Sequence, residues 1–556
     1  MRILPSLGAL WATALPLTTF LASVNAYSDP LVDLGYGSFQ GKYDETYNIS
    51  YFRKIPFAAP PTGENRFRAP QPPLPINDGV YNTDQSFDMC PQRTVNGSED
   101  CLYLGLFSRP WIQNSDQDSN SDSDPSVAVR RPVLVVFYGG AFIQGSASFS
   151  LPPSSYPVLN VSALNDYIVI YPNYRLNAFG FLPGKAIKNS PTSDLNPALL
   201  DQEYVLKWVQ EHIEHFGGNP NNVTIWGQSA GGGSVVGQVL ANGRRGEKKL
   251  FSKALTSSPF WPKTYRYDDD ESEAIYDSLV ELTGCKGTDD TLACLKSVDA
   301  QAIRDANQVI SASHKWTTSS YTWAPVIDDE FLLHTLTDAT EHGLIETDYF
   351  FATHNTHEGE DFVPPGLQYA NTNETTDAFN SSTASFHDWL TGFLPDLSKA
   401  QIRALETKYY PEVGATETLD IYNTTYVRAG LIYRDVVLSC PGYWLAFAAK
   451  KKGYMAEYSR PPAQHGDDTG YWNRVNSVQQ TNPLIYRGFA GAFGSFFQTG
   501  DPNAHKLTAA DVFGVPELHE TGKEWIIGPD GFGQVELEEL KERCEFLRSV
   551  GKSIPV

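Results

Sequence analysis

The 556-residue sequence predicts one large α/β domain, a parallel sheet with crossover helices, and three observations carry that prediction. First, Val133-Leu134-Val135-Val136-Phe137 and Tyr167 to Tyr171 are continuous apolar runs, the composition of strands buried on both faces. Second, Leu199 to Phe216 carries Leu199, Leu200, Val205, Leu206, Trp208, Val209 and Ile213 at helical spacing, and Gly217-Gly218-Asn219-Pro220 ends it. Third, Val223-Thr224-Ile225-Trp226 returns at once to strand composition. Hydrophobic residues make up 41% and charged residues 19%, so the chain can bury a sizeable core. No Pro- or Ser-rich linker divides it, and residues 27–556 are expected to form a single domain.

Residues 1–26 stand apart from that domain. Arg2 is the only charge in Met1 to Ala26; an apolar run broken by Pro16 follows and closes on the small residues of Val24-Asn25-Ala26. This pattern predicts a secretory signal, too short and too interrupted to anchor in a membrane, and so an extracellular protein. No later stretch approaches about 18 continuous apolar residues, so no membrane span is expected. Asp and Glu number 65 against 42 Lys and Arg, a formal charge of −23. A nucleic-acid partner requires a basic surface to displace counterions, so that class is excluded. Gln113 to Asp124 is rich in Asp and Ser and reads as a solvated surface insertion.

Six cysteines suit an oxidising compartment: Cys90, Cys101, Cys285, Cys294, Cys440 and Cys544. Six thiols allow fifteen pairings, and sequence alone does not choose among them. Local proximity favours Cys90–Cys101 and Cys285–Cys294, which leaves Cys440–Cys544. Seven glycosylation sequons begin at Asn48, Asn96, Asn160, Asn222, Asn373, Asn380 and Asn423. Asn222 is the weakest of them, since it opens a core strand.

The chemistry concentrates at Gly227-Gln228-Ser229-Ala230-Gly231, a G-x-S-x-G that follows a strand and leads into the small residues Gly232-Gly233-Ser234. A nucleophile on a sharp strand-to-helix turn needs small neighbours, and the helix N-terminus sets free amides beside a developing oxyanion. Tyr138-Gly139-Gly140-Ala141-Phe142 follows the first apolar run, where the α/β-hydrolase architecture keeps its Gly-rich oxyanion loop. In that architecture an acid and then a histidine follow the serine. Tyr349-Phe350-Phe351-Ala352 reads as a strand, and its loop offers Glu358, Glu360 and Asp361 as the acid. Nine histidines follow Ser229. Position favours His465, in a loop after Pro461-Pro462-Ala463-Gln464, whereas His505 follows a turn signal and reads as a surface residue.

These residues resemble the type B carboxylesterase family, the esterase/lipase group that includes cholinesterases and yeast-type secreted lipases. The matching stretches are Ile55-Pro56-Phe57-Ala58, Pro60-Pro61-Thr62-Gly63, Arg66-Phe67, Ser98 to Leu104, Asn173-Tyr174-Arg175-Leu176, Phe179-Gly180-Phe181 and Leu199-Leu200-Asp201-Gln202. With the nucleophile segment and His465-Gly466 they run from about residue 30 to 550 in the family's order. The resemblance implies an α/β-hydrolase fold with Ser229 as nucleophile, Glu358 as acid and His465 as base. It puts the oxyanion amides on Gly140, Ala141 and Ala230, and it supports the three cysteine pairs. The activity implied is hydrolysis of small-molecule carboxylic esters through an acyl-enzyme, without metal or organic cofactor.

Three departures from the family pattern refine the expectation. Gln228 stands where the family usually has Glu, which removes an attraction for a cationic substrate. Cys90 and Cys101 enclose only ten residues, too few for a lipase lid or a choline-site tryptophan loop. Ala141 replaces the commoner Gly, a change that an amide donor tolerates. Short- or medium-chain esters are therefore expected in preference to long-chain acylglycerols. A metal hydrolase built on His354, His357, Glu358, Glu360 and Asp361 lacks an H-E-x-x-H and leaves the serine motif unexplained. A non-catalytic, cholinesterase-like binding protein would have lost a residue of the trio that is complete here.

Overall fold

The computed structural model describes residues 29–110, 130–311, 322–371 and 378–556. The signal-like segment 1–26, the Asp/Ser-rich stretch and the sequon at Asn373 lie outside the described residues.

Eleven strands among the described residues form one sheet. In chain order they are β1 (Lys42–Asp44), β2 (Ile49–Pro56), β3 (Tyr103–Ser108), β4 (Arg131–Phe137), β5 (Ile168–Pro172), β6 (Gly218–Gln228), β7 (Lys253–Ser257), β8 (Tyr349–Asn355), β9 (Lys452–Tyr458), β10 (Lys523–Ile527) and β11 (Phe532–Glu536). Their spatial order is β11-β10-β9-β8-β7-β6-β4-β5-β3-β2-β1. The seven strands from β10 to β5 are mutually parallel, and the four outer ones pair antiparallel. A separate three-stranded sheet joins Leu31–Asp33, Ser38–Gln40 and Val80–Asn82.

The continuous apolar runs have a direct cause. Val133, Val135 and Phe137 of β4 join the core on one face of the sheet, while Leu134 joins the core on the other. Ile225 and Trp226 of β6 divide in the same way, as do Phe350 and Phe351 of β8. Helices cover both faces: α1 (Pro197–His212) and α2 (Ala230–Ala241) pack on the first, and α5 (Pro483–Thr499) brings Phe489, Phe493, Phe496 and Phe497 to the second. Two further helices, α3 (Thr425–Arg434) and α4 (Cys440–Ala448), are joined by a π-helical turn over Asp435–Ser439.

Two boundaries differ from the sequence reading. The α-helical part of Leu199–Phe216 ends at His212, and Ile213–Phe216 is a 3₁₀ turn. Strand β6 begins at Gly218, inside the Gly-Gly-Asn-Pro segment whose composition reads as a stop, because its backbone already pairs with β4 at Arg131. A turn-prone segment is thus drawn into the ladder by its neighbour, which no local pattern records.

All six cysteines are paired, as Cys90–Cys101, Cys285–Cys294 and Cys440–Cys544. The last closes a 104-residue separation, worth about 4–5 kcal/mol on the loop-entropy model. Of the sequon residues, Asn48, Asn96, Asn160 and Asn423 are exposed and Asn380 is half-buried. The Asn222 amide is occupied: it donates to the Gln498 carbonyl at 3.2 Å and accepts from Lys253 Nζ. Among the described residues no helix is long and apolar enough to cross a membrane.

Candidate active site

The segments singled out in the sequence leave the carboxyl ends of neighbouring parallel strands. Gly139–Phe142 follows β4, Ser229 follows β6, Glu358 lies in the loop after β8 and His465 in the loop after β9. The edge beyond the strand carboxyl ends is where open α/β sheets bind ligands.

Ser229 sits at φ 57° and ψ −127°, in a region that side chains rarely adopt. Its backbone is held from three sides. The Ser229 N–H donates to the Ser257 carbonyl at 3.0 Å, and the Ser229 carbonyl accepts from Gly233 at 2.9 Å and Phe260 at 2.8 Å. Close packing then excludes side chains around it. A Cβ on Gly231 would lie 2.2 Å from the Phe137 carbonyl oxygen, and one on Gly139 would lie 2.6 Å from the Gln228 carbonyl oxygen and 3.1 Å from Ser229 Cβ. Only glycine admits this approach, so the Gly-rich loop lies against the serine turn.

Positive φ values at Gly140 (116°), Ala141 (55°) and Phe142 (61°) turn that loop sharply. The Ala230 amide belongs to the first turn of α2, which has no intrahelical acceptor for it. The Cys90–Cys101 loop supports the turn from outside. Gln92 Nε2 donates to the Gly145 carbonyl and Gln92 Oε1 accepts from the Gly145 N–H, both at 2.9 Å. Arg304 reaches in to donate to the Gln92 carbonyl at 2.8 Å.

The loop after β8 distributes three carboxylates to three tasks. Glu358, fully buried, faces His465 with Oε2 3.1 Å from Nδ1. Glu360 pairs with His357 Nδ1 at 2.8 Å. Asp361 Oδ2 accepts the His465 backbone N–H at 3.0 Å, and partial burial raises its carboxyl above the usual range. With Nδ1–H directed at Glu358, the His465 Nε2 carries the lone pair. That nitrogen lies 3.3 Å from Gln228 Nε2, beside the Ser229 turn. The Phe362 ring meets the imidazole edge-on at 4.9 Å. Asp468, three residues on, is fully buried and accepts from Trp472 Nε1 at 3.0 Å; burial pushes its carboxyl up to about 6.

Sequence reasoning did not foresee the backbone anchor at Asp361, the Gln228–His465 contact or the burial of Asp468. Each depends on how separate loops meet. His505 is half-buried, with its N–H on Ser495 Oγ at 3.0 Å, because the turn folds back on α5. The residues considered as a metal cluster are dispersed: Glu358 and Glu360 face different histidines, and His354 lies beneath the sheet edge with Glu457 and Glu524. His354, Glu457 and Glu524 are ligands by type and all buried, but the charge of buried Arg434 acts on all three.

The carboxylesterase family model matches residues 28–525. Carboxylesterase patB of Penicillium expansum is 28% identical over 97% of this chain and 99% of its own length. Secreted lipase 4 of Gibberella zeae is 28% identical over 99% of this chain and 98% of its own. In fold, the chain is similar to the crystal structure of Aspergillus niger EstA, with a TM-score of 0.77 and 24% identity over 95% of this chain and 99% of that one.

Proposed function

The chain belongs to the carboxylesterase family and is a carboxylic ester hydrolase, and from that premise we propose that it is a secreted serine esterase acting through a Ser229 acyl-enzyme. The observation that carries the reading is His465, with Nδ1 on Glu358 and its Nε2 lone pair turned toward the nucleophile turn. In the first half-reaction His465 takes the Ser229 proton as the oxygen attacks the ester carbonyl. The amides of Gly140, Ala141 and Ala230 stabilise the oxyanion, and His465 returns the proton to the leaving alcohol. Water repeats the sequence on the acyl-enzyme and releases the carboxylic acid. Glu358 keeps the imidazole in the Nδ1–H tautomer and stabilises its charged form.

Residues 1–26 act as the secretory signal in this reading, and 27–556 form a single domain. The three disulfides fit an oxidising compartment, and the exposed Asn48, Asn96, Asn160 and Asn423 are its accessible glycosylation sites. The preference for short- or medium-chain dissolved esters rests on the Cys90–Cys101 loop. It spans ten residues and is hydrogen-bonded through Gln92 to Gly145 and Arg304, so it has neither the length nor the freedom of a lid.

The test is covalent labelling by an organophosphate together with turnover of p-nitrophenyl acetate. The expected result is one label per chain, on Ser229, and loss of both label and activity in Ser229→Ala at an unchanged Tm. Activity of Ser229→Ala within tenfold of wild type would refute the assignment. On short- or medium-chain esters the rate should rise smoothly through the substrate solubility limit, and a sharp rate increase on emulsified long-chain triglyceride would favour the lipase reading.

A further inference from the structure

Three neighbouring parallel strands carry a polar side chain where apolar core would otherwise continue. His354 of β8 stands in register with Glu457 of β9, and Glu457 with Ile526 of β10. Side chains alternate along a strand, so Glu524, two residues before Ile526, shares the face of the other two. On that face Phe350, Ala352 and Met455 belong to the apolar core. His354, Glu457 and Glu524 interrupt it while being only 1%, 2% and 0% exposed.

The charges around them do not balance. Arg434 donates to Asp435 Oδ1 at 2.9 Å, Arg543 donates to Asp435 Oδ2 at 2.7 Å, and Arg543 also faces Glu417 at 3.7 Å. These two guanidiniums and two carboxylates cancel. Glu457 and Glu524 remain, and among the described residues neither forms an ion pair with a lysine or arginine. Burial raises both carboxyls, so two negative charges in this place require a counterion. Two protons or one divalent cation would supply it, and the contacts favour the cation. The Thr356 and Thr418 hydroxyls both donate to Glu457 Oε1, as to an ionised carboxylate. His354 Nε2 stands 3.2 Å from Glu524 Oε2, while His354 Nδ1 and Glu524 Oε1 have no hydrogen-bond partner among the described residues. One nitrogen or oxygen from each residue lies within 4.8 Å of those of the other two. Small side-chain movements would set all three about 2.0–2.2 Å from one ion.

We propose that His354, Glu457 and Glu524 bind one zinc ion, a structural site that ties β8, β9 and β10 together. One imidazole and two carboxylates suit zinc, whereas calcium and magnesium take oxygen ligands alone. The two charges of the ion match the two unpaired carboxylates, and the neutral imidazole supplies the third lone pair. Glu358 follows His354 by four residues, so the site steadies the strand from which the acid-bearing loop departs. The ion takes no part in the ester chemistry, and the inference stands independently of the Ser229 assignment.

Metal content and thermal unfolding of the whole chain test this. The protein is dialysed against a chelator at pH 5, returned to pH 7 and given zinc in slight excess. After gel filtration, wild type should retain close to one zinc per chain by plasma mass spectrometry. Its Tm should exceed that of the stripped protein by roughly 5 °C. Glu524→Gln and His354→Gln keep side-chain size and remove a ligand. Each should unfold cooperatively, retain less than about a tenth of an ion per chain and show no Tm response to zinc. Wild type that holds less than about a tenth of an ion, both as purified and after zinc addition, would overturn the proposal and leave protons as the neutralising charges. Zinc held equally by both variants would also overturn it, by placing the ion elsewhere. Where a variant does not fold, anomalous diffraction at the zinc edge from wild-type crystals decides: a peak among the three side chains supports the site, and its absence there refutes it. None of these readouts depends on esterase activity, which Ser229→Ala tests separately.

Discussion

The Ser229 turn and the loops that bear Glu358 and His465 meet at one edge of the sheet but are held by different physics. The turn is fixed by exclusion of side chains: its glycines allow backbone to lie where no Cβ would fit, and Ser229 is held by backbone hydrogen bonds. The loops that bear Glu358 and His465 are fixed by polar contacts: Glu358 and Asp361, each more than a hundred positions from His465, reach its ring and its backbone N–H, and Asp468 accepts from Trp472. Sterically enforced geometry fails through loss of the fold. Geometry enforced by polar contacts can lose chemistry while the fold persists. The contrast predicts how substitutions in the two regions should differ.

The largest effect should come from Glu358→Gln. Its amide leaves His465 Nδ1 without a carboxylate, and kcat should fall by about 10³–10⁴-fold, as for loss of the acid in serine triads generally. Tm should change by no more than a few degrees, measured by calorimetry beside the kinetics. If Glu360→Gln proves the more damaging change, the acid has been misplaced.

Gly231→Ala should behave in the opposite way. A methyl group 2.2 Å from the Phe137 carbonyl oxygen forces the backbone apart, at a cost of about 3 kcal/mol or more. The expected readout is a lower urea midpoint with activity lost in parallel. A variant of native stability would show that the turn is not held by exclusion.

Glu360→Gln and Asp361→Asn should be milder, within about tenfold in kcat. The amide introduced at position 361 would retain an oxygen for the His465 N–H, and Glu360 contacts His357. A loss comparable to that of Glu358→Gln would mean that backbone anchoring matters as much as the ring contact.

The last prediction leaves turnover aside and concerns pH and stability. Burial raises the Asp468 carboxyl to about 6, above its unfolded value near 3.8, so folding favours its protonated form. Its contribution is fully present below the unfolded value and is lost as pH rises through about 6, at most about 3 kcal/mol. Wild-type Tm should therefore fall more steeply from pH 4.5 to 7 than that of Asp468→Asn. Parallel curves would remove this group from the balance.

What the sequence by itself determined was local. The apolar runs at Val133–Phe137 and Tyr167–Tyr171 specify strands buried on both faces, because burial on both sides forbids polar alternation. The G-x-S-x-G between a strand and small residues locates the turn, because the steric demand of that geometry is written in adjacent positions. Other features were decided only by tertiary structure. Neighbouring residues do not separate Glu358 from Glu360 and Asp361; the family resemblance favours Glu358, and the geometry adds that only Glu358 of the three meets the His465 ring nitrogen, Asp361 taking its backbone N–H and Glu360 the His357 ring. The strand register that extends β6 back to Gly218, the burial of Asp468 and the approach of Gln228 to His465 are likewise absent from local pattern. The physical reason is common to all of them. Backbone conformation and burial periodicity depend on residues near in sequence, whereas hydrogen-bond partners and desolvation depend on what the fold brings from far away.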